Sequence, residues 1–279
     1  MNHKIILLIF ILFLIPFITS LNETKEITLT YILDGEKNSF NYTVYDEVVN
    51  YIESIPASIT YENGAVPSRI DFKMKNINNE EQRHALSHLV EKIKNLTSER
   101  TDQVRIAISI VQNIPYGFTN KTVILPGGLE TNDSRYPYEV LYENEGICGE
   151  KTELMVFLLK ELGYGVAFFY NEVENHESVG IKCPVKRSLD KSGYCFIETT
   201  GPAIISDNSL EYVGGITLTS KSEVYPLFEG ESLPNRIDEY KDAKSMKKIR
   251  QNKFTFFNKH KKLEKLKQKY GLLDEYKLA

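Results

Sequence analysis

GICGEKTELMVFLLKELG, Gly146–Gly163, sets a cysteine close to two glycines and directly ahead of a periodic apolar run. Leu154, Phe157, Leu158 and Leu162 recur at three- and four-residue spacing, so the stretch predicts a helix anchored in a core with Cys148 at its exposed start. A thiolate at a helix N-terminus is stabilised by the dipole and the free N–H groups there, and a nearby imidazolium lowers its pKa further. Cys148 also reads as a small hydrophobe packed under the helix, or as half of a disulfide. The flanking segments bear on that choice.

Downstream, YGVAFFY (164–170), NHESVGIKC (175–183) and GYCFIETT (193–200) read as three strands separated by polar turns. A helix followed by an antiparallel sheet is an α+β arrangement. Upstream, KEITLTYIL and NSFNYTVY flank the turn DGEK as a hairpin, and DEVVNYIESIP follows as a short helix stopped at Pro56. Two further helices are predicted from NNEEQRHALSHLVEKIKNL and SERTDQVRIAISIVQNI, capped by Asn79 and Ser98. The turn-rich stretch from Pro115 to Tyr142 reads as a long loop, and a loop of that length is usually functional. LEYVGGITL is read as a last strand, and Ile237, Tyr240, Met246, Ile249, Leu263 and Leu266 mark one or two amphipathic helices at the C-terminal end.

A catalytic thiol needs a base, and the base needs a group to orient it. The chain has five histidines. His3 lies in the apolar N-terminus and His260 in the basic C-terminal stretch; His84 and His88 stand four apart on a charged helix with no third metal ligand evident. His176 opens a strand in the same stretch as the cysteine. On a hairpin of the second and third strands, His176 and Glu198 fall on one face and become cross-strand neighbours. Cys183 and Cys195 fall together on the other face, where an oxidising compartment would let them bridge and leave Cys148 as the odd thiol.

The ordered set VQNIPYGF (111–118), YPYEVLYENEGICGEKTELMVFLLKELGY (136–164), NHESVGIKC and YCFIETTGP (194–202) resembles the transglutaminase-like superfamily, in its secreted or membrane-anchored archaeal and bacterial form. The resemblance covers roughly residues 100–207. It implies a papain-like core, with Cys148 as nucleophile, His176 as base and Glu198 where many relatives carry Asp. Two departures stand out: Ile147 precedes the cysteine where an acidic residue is common, and Gly149–Glu150 replaces an acidic pair after it. The implied chemistry is attack on an amide carbonyl through an acyl-enzyme, hydrolysis being favoured over transamidation. The alternative is a catalytically silent module that binds peptide or cell-envelope polymer. For the oxyanion, the Cys148 N–H is the natural donor, with Gln112 and Tyr116 as further candidates. The motifs call for no cofactor; no metal site or EF-hand pattern is evident.

Composition sets the outer bounds. With 279 residues, 42% hydrophobic and 26% charged, the chain suits one large domain with appendages, and its net charge of −4 gives no nucleic-acid signal. Residues 1–21 form an apolar segment, read as a cleaved secretory signal or an N-terminal membrane anchor. Either reading places the remainder outside the cytoplasm, where the sequons at Asn22, Asn41, Asn95, Asn120 and Asn132 are permitted. Residues 22–75 form a hairpin-helix cap, 76–220 the catalytic core, and 221–279 a basic, mainly helical extension. From Lys241 to Lys269 about a dozen Lys and Arg face two acids, which makes an anionic membrane surface a possible partner besides a peptide, protein or envelope amide substrate.

Overall fold

The structure, a computed structural model, describes residues 23–56, 66–125, 129–132, 134–208, 211–212, 216–251 and 256–273. The apolar segment 1–21 and the sequon at Asn22 lie outside the described residues. Strands β1 (Thr24–Leu33) and β2 (Glu36–Tyr45) pair over ten residues each. Their turn is the two residues Asp34 and Gly35, both at positive φ (52° and 87°), a tighter reversal than the four-residue DGEK. Helices α1 (Asp46–Glu53), α2 (Arg69–Ile77), α3 (Glu80–Leu96) and α4 (Arg100–Asn113) follow. Ser68 and Asp71 close a reciprocal box on α2, and the Asn79 side chain caps α3 by accepting from Gln82 N at 3.1 Å. Ser98 does not cap α4. That position is Glu99, whose N–H donates to Thr97 Oγ1 at 3.1 Å, so the preceding Thr organises the turn.

The Pro115–Tyr142 stretch is more ordered than its composition implies. It contains β3 (Thr122–Leu125), β4 (Leu129–Asn132) and α5 (Pro137–Glu143). Pro137 suits the first turn of a helix because it lacks an N–H that would go unpaired there, and Glu139 reaches back to Tyr136 N at 2.9 Å. Helix α6 (Cys148–Glu161) then crosses the centre of the molecule. Its Leu154–Leu159 segment is fully buried at every position, because α2–α5 cover one side and a sheet the other.

That sheet is antiparallel in the order β10-β5-β6-β7, from β5 (Val166–Asn171), β6 (His176–Lys182), β7 (Tyr194–Ile197) and β10 (Glu223–Phe228). The fold is therefore α+β. LEYVGGITL is not one strand: within it β8 (Glu211–Tyr212) and β9 (Ile216–Thr217) form a separate short pair. The edge position goes instead to β10, at the start of the stretch read as a basic extension. Its Pro226 is tolerated because an edge strand has N–H groups that need no partner, and a bulge lies between Pro226 and Phe228.

One hydrophobic cluster joins the hairpin (Leu29, Val44), α3, α4 and α6 to the inner face of the sheet (Val179, Ile181, Ile197). The C-terminal helices α7 (Asp238–Arg250) and α8 (Phe256–Tyr270) bury Ala243, Met246, Ile249, Leu263 and Leu266 against Ile204. Two ion pairs lock this unit down: Arg105 chelates Glu239 at 2.6 and 3.0 Å, and Arg250 grips Asp207. Among the described residues no helix is long and apolar enough to cross a membrane.

Candidate active site

Cys148 is the first residue of α6 and is partly exposed. Two strap segments hold it there. Tyr116 bridges Gly146, with Gly146 N donating to Pro115 O at 3.2 Å and Gly117 N to Gly146 O at 3.4 Å, so the IPYG segment runs alongside the approach to the cysteine. Arg135, almost fully buried, donates from Nη1 to Gly117 O (3.2 Å) and to Glu150 Oε2 (3.1 Å), and also pairs Glu143 and Glu145. Glu150 in turn accepts from Ile147 N at 3.0 Å. Glu150, three residues after Ile147, thus caps the start of α6.

His176 begins β6, buried to 3% exposure, and Glu198 directly follows β7, buried to 1%. Val179 pairs with Ile197, so Glu198 stands diagonal to His176 rather than directly across. The two side chains meet with Nε2 and Oε2 3.0 Å apart. The Cys148 thiol lies within hydrogen-bonding reach of the same imidazole. Burial alone pushes the His176 pKa down, but the contacts to Cys148 and Glu198 outweigh it and raise it to about 10.

The sequence ETT following Ile197 uses every residue. The Glu198 Oε1 accepts from Thr200 N (2.8 Å) and Thr200 Oγ1 (2.7 Å), which fixes the carboxylate, and Thr199 Oγ1 donates to Cys148 O at 3.4 Å. Sequence reasoning missed Lys151. This lysine is wholly buried, donating to Ile114 O at 2.5 Å and Thr200 O at 3.3 Å, so one ammonium joins the IPYG strap, the ETT loop and the helix. Burial lowers its pKa to about 7 against the attraction of Glu198. Its only signal in the sequence was a cluster of charged residues, EKTE, inside the first turns of a helix.

The other expected residues divide. Gln112 Nε2 donates to Glu198 O at 2.9 Å and Ala203 O at 3.3 Å, so both amide hydrogens are engaged by backbone carbonyls, one of them the acid's own, rather than turned to an oxyanion. Tyr116 remains beside the cysteine, its pKa raised by burial and by the negative field of Cys148, Glu150 and Glu198. Cys183 and Cys195 form a disulfide, with Cα atoms 5.7 Å apart, so Cys148 is the free thiol among the three cysteines. Such a bridge belongs with an oxidising, extracytoplasmic setting. His84 and His88 lie edge to face on the exposed side of α3, and no group of three metal-ligating side chains occurs among the described residues.

No family model matches the chain, and no curated protein matches it in sequence. Among solved structures, a Parabacteroides distasonis protein described as a "putative protease" is similar at a TM-score of 0.32 and 13% identity, over 77% of this chain and 44% of that one. The chain thus spans less than half of that protein's length.

Proposed function

We propose that this protein is an extracytoplasmic, transglutaminase-like cysteine enzyme acting on amide bonds through Cys148, His176 and Glu198. The observation that carries the reading is the continuous contact from thiol to imidazole to buried carboxylate, with the thiol at a helix N-terminus. Glu198 engages Nε2 and leaves Nδ1 for the thiol, which fixes the ring for proton transfer. Cys148 passes its proton to His176 and attacks the carbonyl carbon, forming a C–S bond and an oxyanion. The Cys148 N–H and the Tyr116 hydroxyl are the donors for that oxyanion. Collapse breaks the C–N bond as His176 returns the proton to the leaving amine. Water, deprotonated by His176, then cleaves the thioester and regenerates the thiol.

Hydrolysis is the proposed outcome because water is always present, whereas transfer to an amine requires a second bound substrate. Incubation with a nitrophenyl acetate followed by intact-mass measurement tests the scheme. A transient acetyl adduct on Cys148, turning over more slowly in Glu198→Ala, is the expected result. Absence of any adduct on Cys148 favours the silent binding module, and accelerated turnover by added amines identifies a transferase.

A further inference from the structure

Helix α6 buries an ammonium beside the proposed triad. Lys151 stands three residues after Cys148 and is fully buried. No carboxylate pairs with it among the described residues; its partners are the carbonyls of Ile114 and Thr200, at 2.5 and 3.3 Å, and Glu198 reaches it only through its field. A methionine would fill the same space without the cost of desolvating a charge. Packing therefore does not call for a lysine here, whereas the two carbonyls do.

Those carbonyls belong to two segments that flank the site. Ile114 begins the strap that carries Tyr116 alongside Gly146, and a Cβ on Gly146 would sit 3.2 Å from Lys151 Cγ, so the lysine stem backs the same turn. Thr200 is the residue whose N–H and Oγ1 fix Glu198 Oε1, at 2.8 and 2.7 Å, while Glu198 Oε2 meets His176 Nε2 at 3.0 Å. His176 in turn reaches the Cys148 thiol. The contacts from Lys151 through Thr200, Glu198 and His176 thus close a ring on α6, the helix they start from. Thr199 Oγ1 also ties the acid's loop to α6, at 3.3 Å from Thr152 Oγ1 and 3.4 Å from Cys148 O, but these contacts join uncharged groups. A hydrogen bond from an ammonium is the stronger kind.

We propose that Lys151 is a positioning residue of this site, holding Glu198 on His176 through Thr200. The proposal rests on Cys148 being the nucleophile. His176 takes a proton from the water that cleaves the acyl-enzyme, so the rate of deacylation reports how well the imidazole is set. Each protein is acetylated with a nitrophenyl acetate, and loss of the Cys148 adduct is followed by intact mass well below the melting temperature. Lys151→Met should deacylate about ten- to a hundredfold more slowly than wild type, the scale on which a small misplacement acts. Lys151→Met/Glu198→Ala should be no slower than Glu198→Ala alone, because both changes remove the same hold on His176. Hydroxylamine attacks the thioester through nitrogen without a general base, breaking the C–S bond and leaving as acetohydroxamate with the thiol restored. It should bring Lys151→Met and wild type to one rate. Unchanged deacylation in Lys151→Met would overturn the proposal, and so would slowing that multiplies with that of Glu198→Ala. A rate gap that persists in hydroxylamine would make the role structural and overturn it too. If Lys151→Met lacks a cooperative melt, Thr200→Val, which keeps the side-chain shape and removes the Oγ1 hold on Glu198, takes its place in the same cycle with the same outcomes. A wild type that forms no Cys148 adduct would instead remove the nucleophile, and this proposal with it.

Discussion

Lys151 shows how a single residue ties the proposed triad to its surroundings. Its ammonium closes two buried carbonyls that have no other described side-chain donor, so Lys151→Met should cost about 2 kcal/mol at pH 7, read from the urea midpoint. The pH dependence separates it from His176. His176, raised from 6.5 to about 10, contributes stability that is whole below 6.5 and is lost as pH climbs through 10. Lys151, lowered from 10.5 to about 7, does the reverse: its burial penalty is full below 7 and is relieved as pH rises towards 10.5. The two trends oppose each other in wild type between about pH 7 and 10. Lys151→Met should therefore lose stability over that window more steeply than wild type, and a parallel profile would contradict the assignment. Cys148, His176 and Glu198 were legible in sequence because each stands at an element boundary marked by pattern and turn residues. Lys151, Glu150 and Glu153 were not, since a charged residue in the first turn of a helix ordinarily faces water; only the packing around α6 shows them buried.

At the scale of elements, the β6–β7 hairpin carries both His176 and Glu198, and the Cys183–Cys195 bridge fastens it. Reduction or Cys195→Ala should lower stability by about 3 kcal/mol, the value for a short closed loop, measurable as a shift in melting temperature with and without a reductant. Gly180 sits mid-strand where a Cβ would lie 2.7 Å from the Phe169 ring and 2.9 Å from Tyr194 Cβ. Gly180→Ala should cost about 2 kcal/mol by overpacking, and an unchanged melting temperature would refute that packing. Strand parity alone brought the two cysteines together, because a period of two leaves few alternatives. Strand β10 escaped the same reasoning: Pro226 argues against a strand in sequence, and an edge position that makes Pro acceptable is set by the sheet. Likewise β3, β4 and α5 were hidden in a stretch whose turn residues dominate its composition.

For the whole molecule, the basic C-terminal helices are part of the packing as well as a charged surface. Their apolar face covers Ile204, while Lys241, Lys244, Lys247, Lys248, Lys261 and Lys265 are exposed. A chain ending at Asn235 would uncover that face and leave Arg105 and Asp207 without Glu239 and Arg250. It should melt at lower temperature and aggregate on size-exclusion chromatography. The proposed contact with anionic lipid is a separate matter, tested by co-sedimentation of Lys244→Glu/Lys248→Glu with phosphatidylserine vesicles. Binding equal to wild type would remove it.

The central claim is that Cys148 is activated by His176, and the rate of Cys148 alkylation by iodoacetamide against pH, in the chain from residue 23 onwards and in its His176→Ala variant, tests it most directly. A fast rate that persists well below the ordinary thiol pKa of about 8.5, and that is lost in His176→Ala, is the predicted result. A slow rate that titrates near that value and is indifferent to His176 would contradict the account.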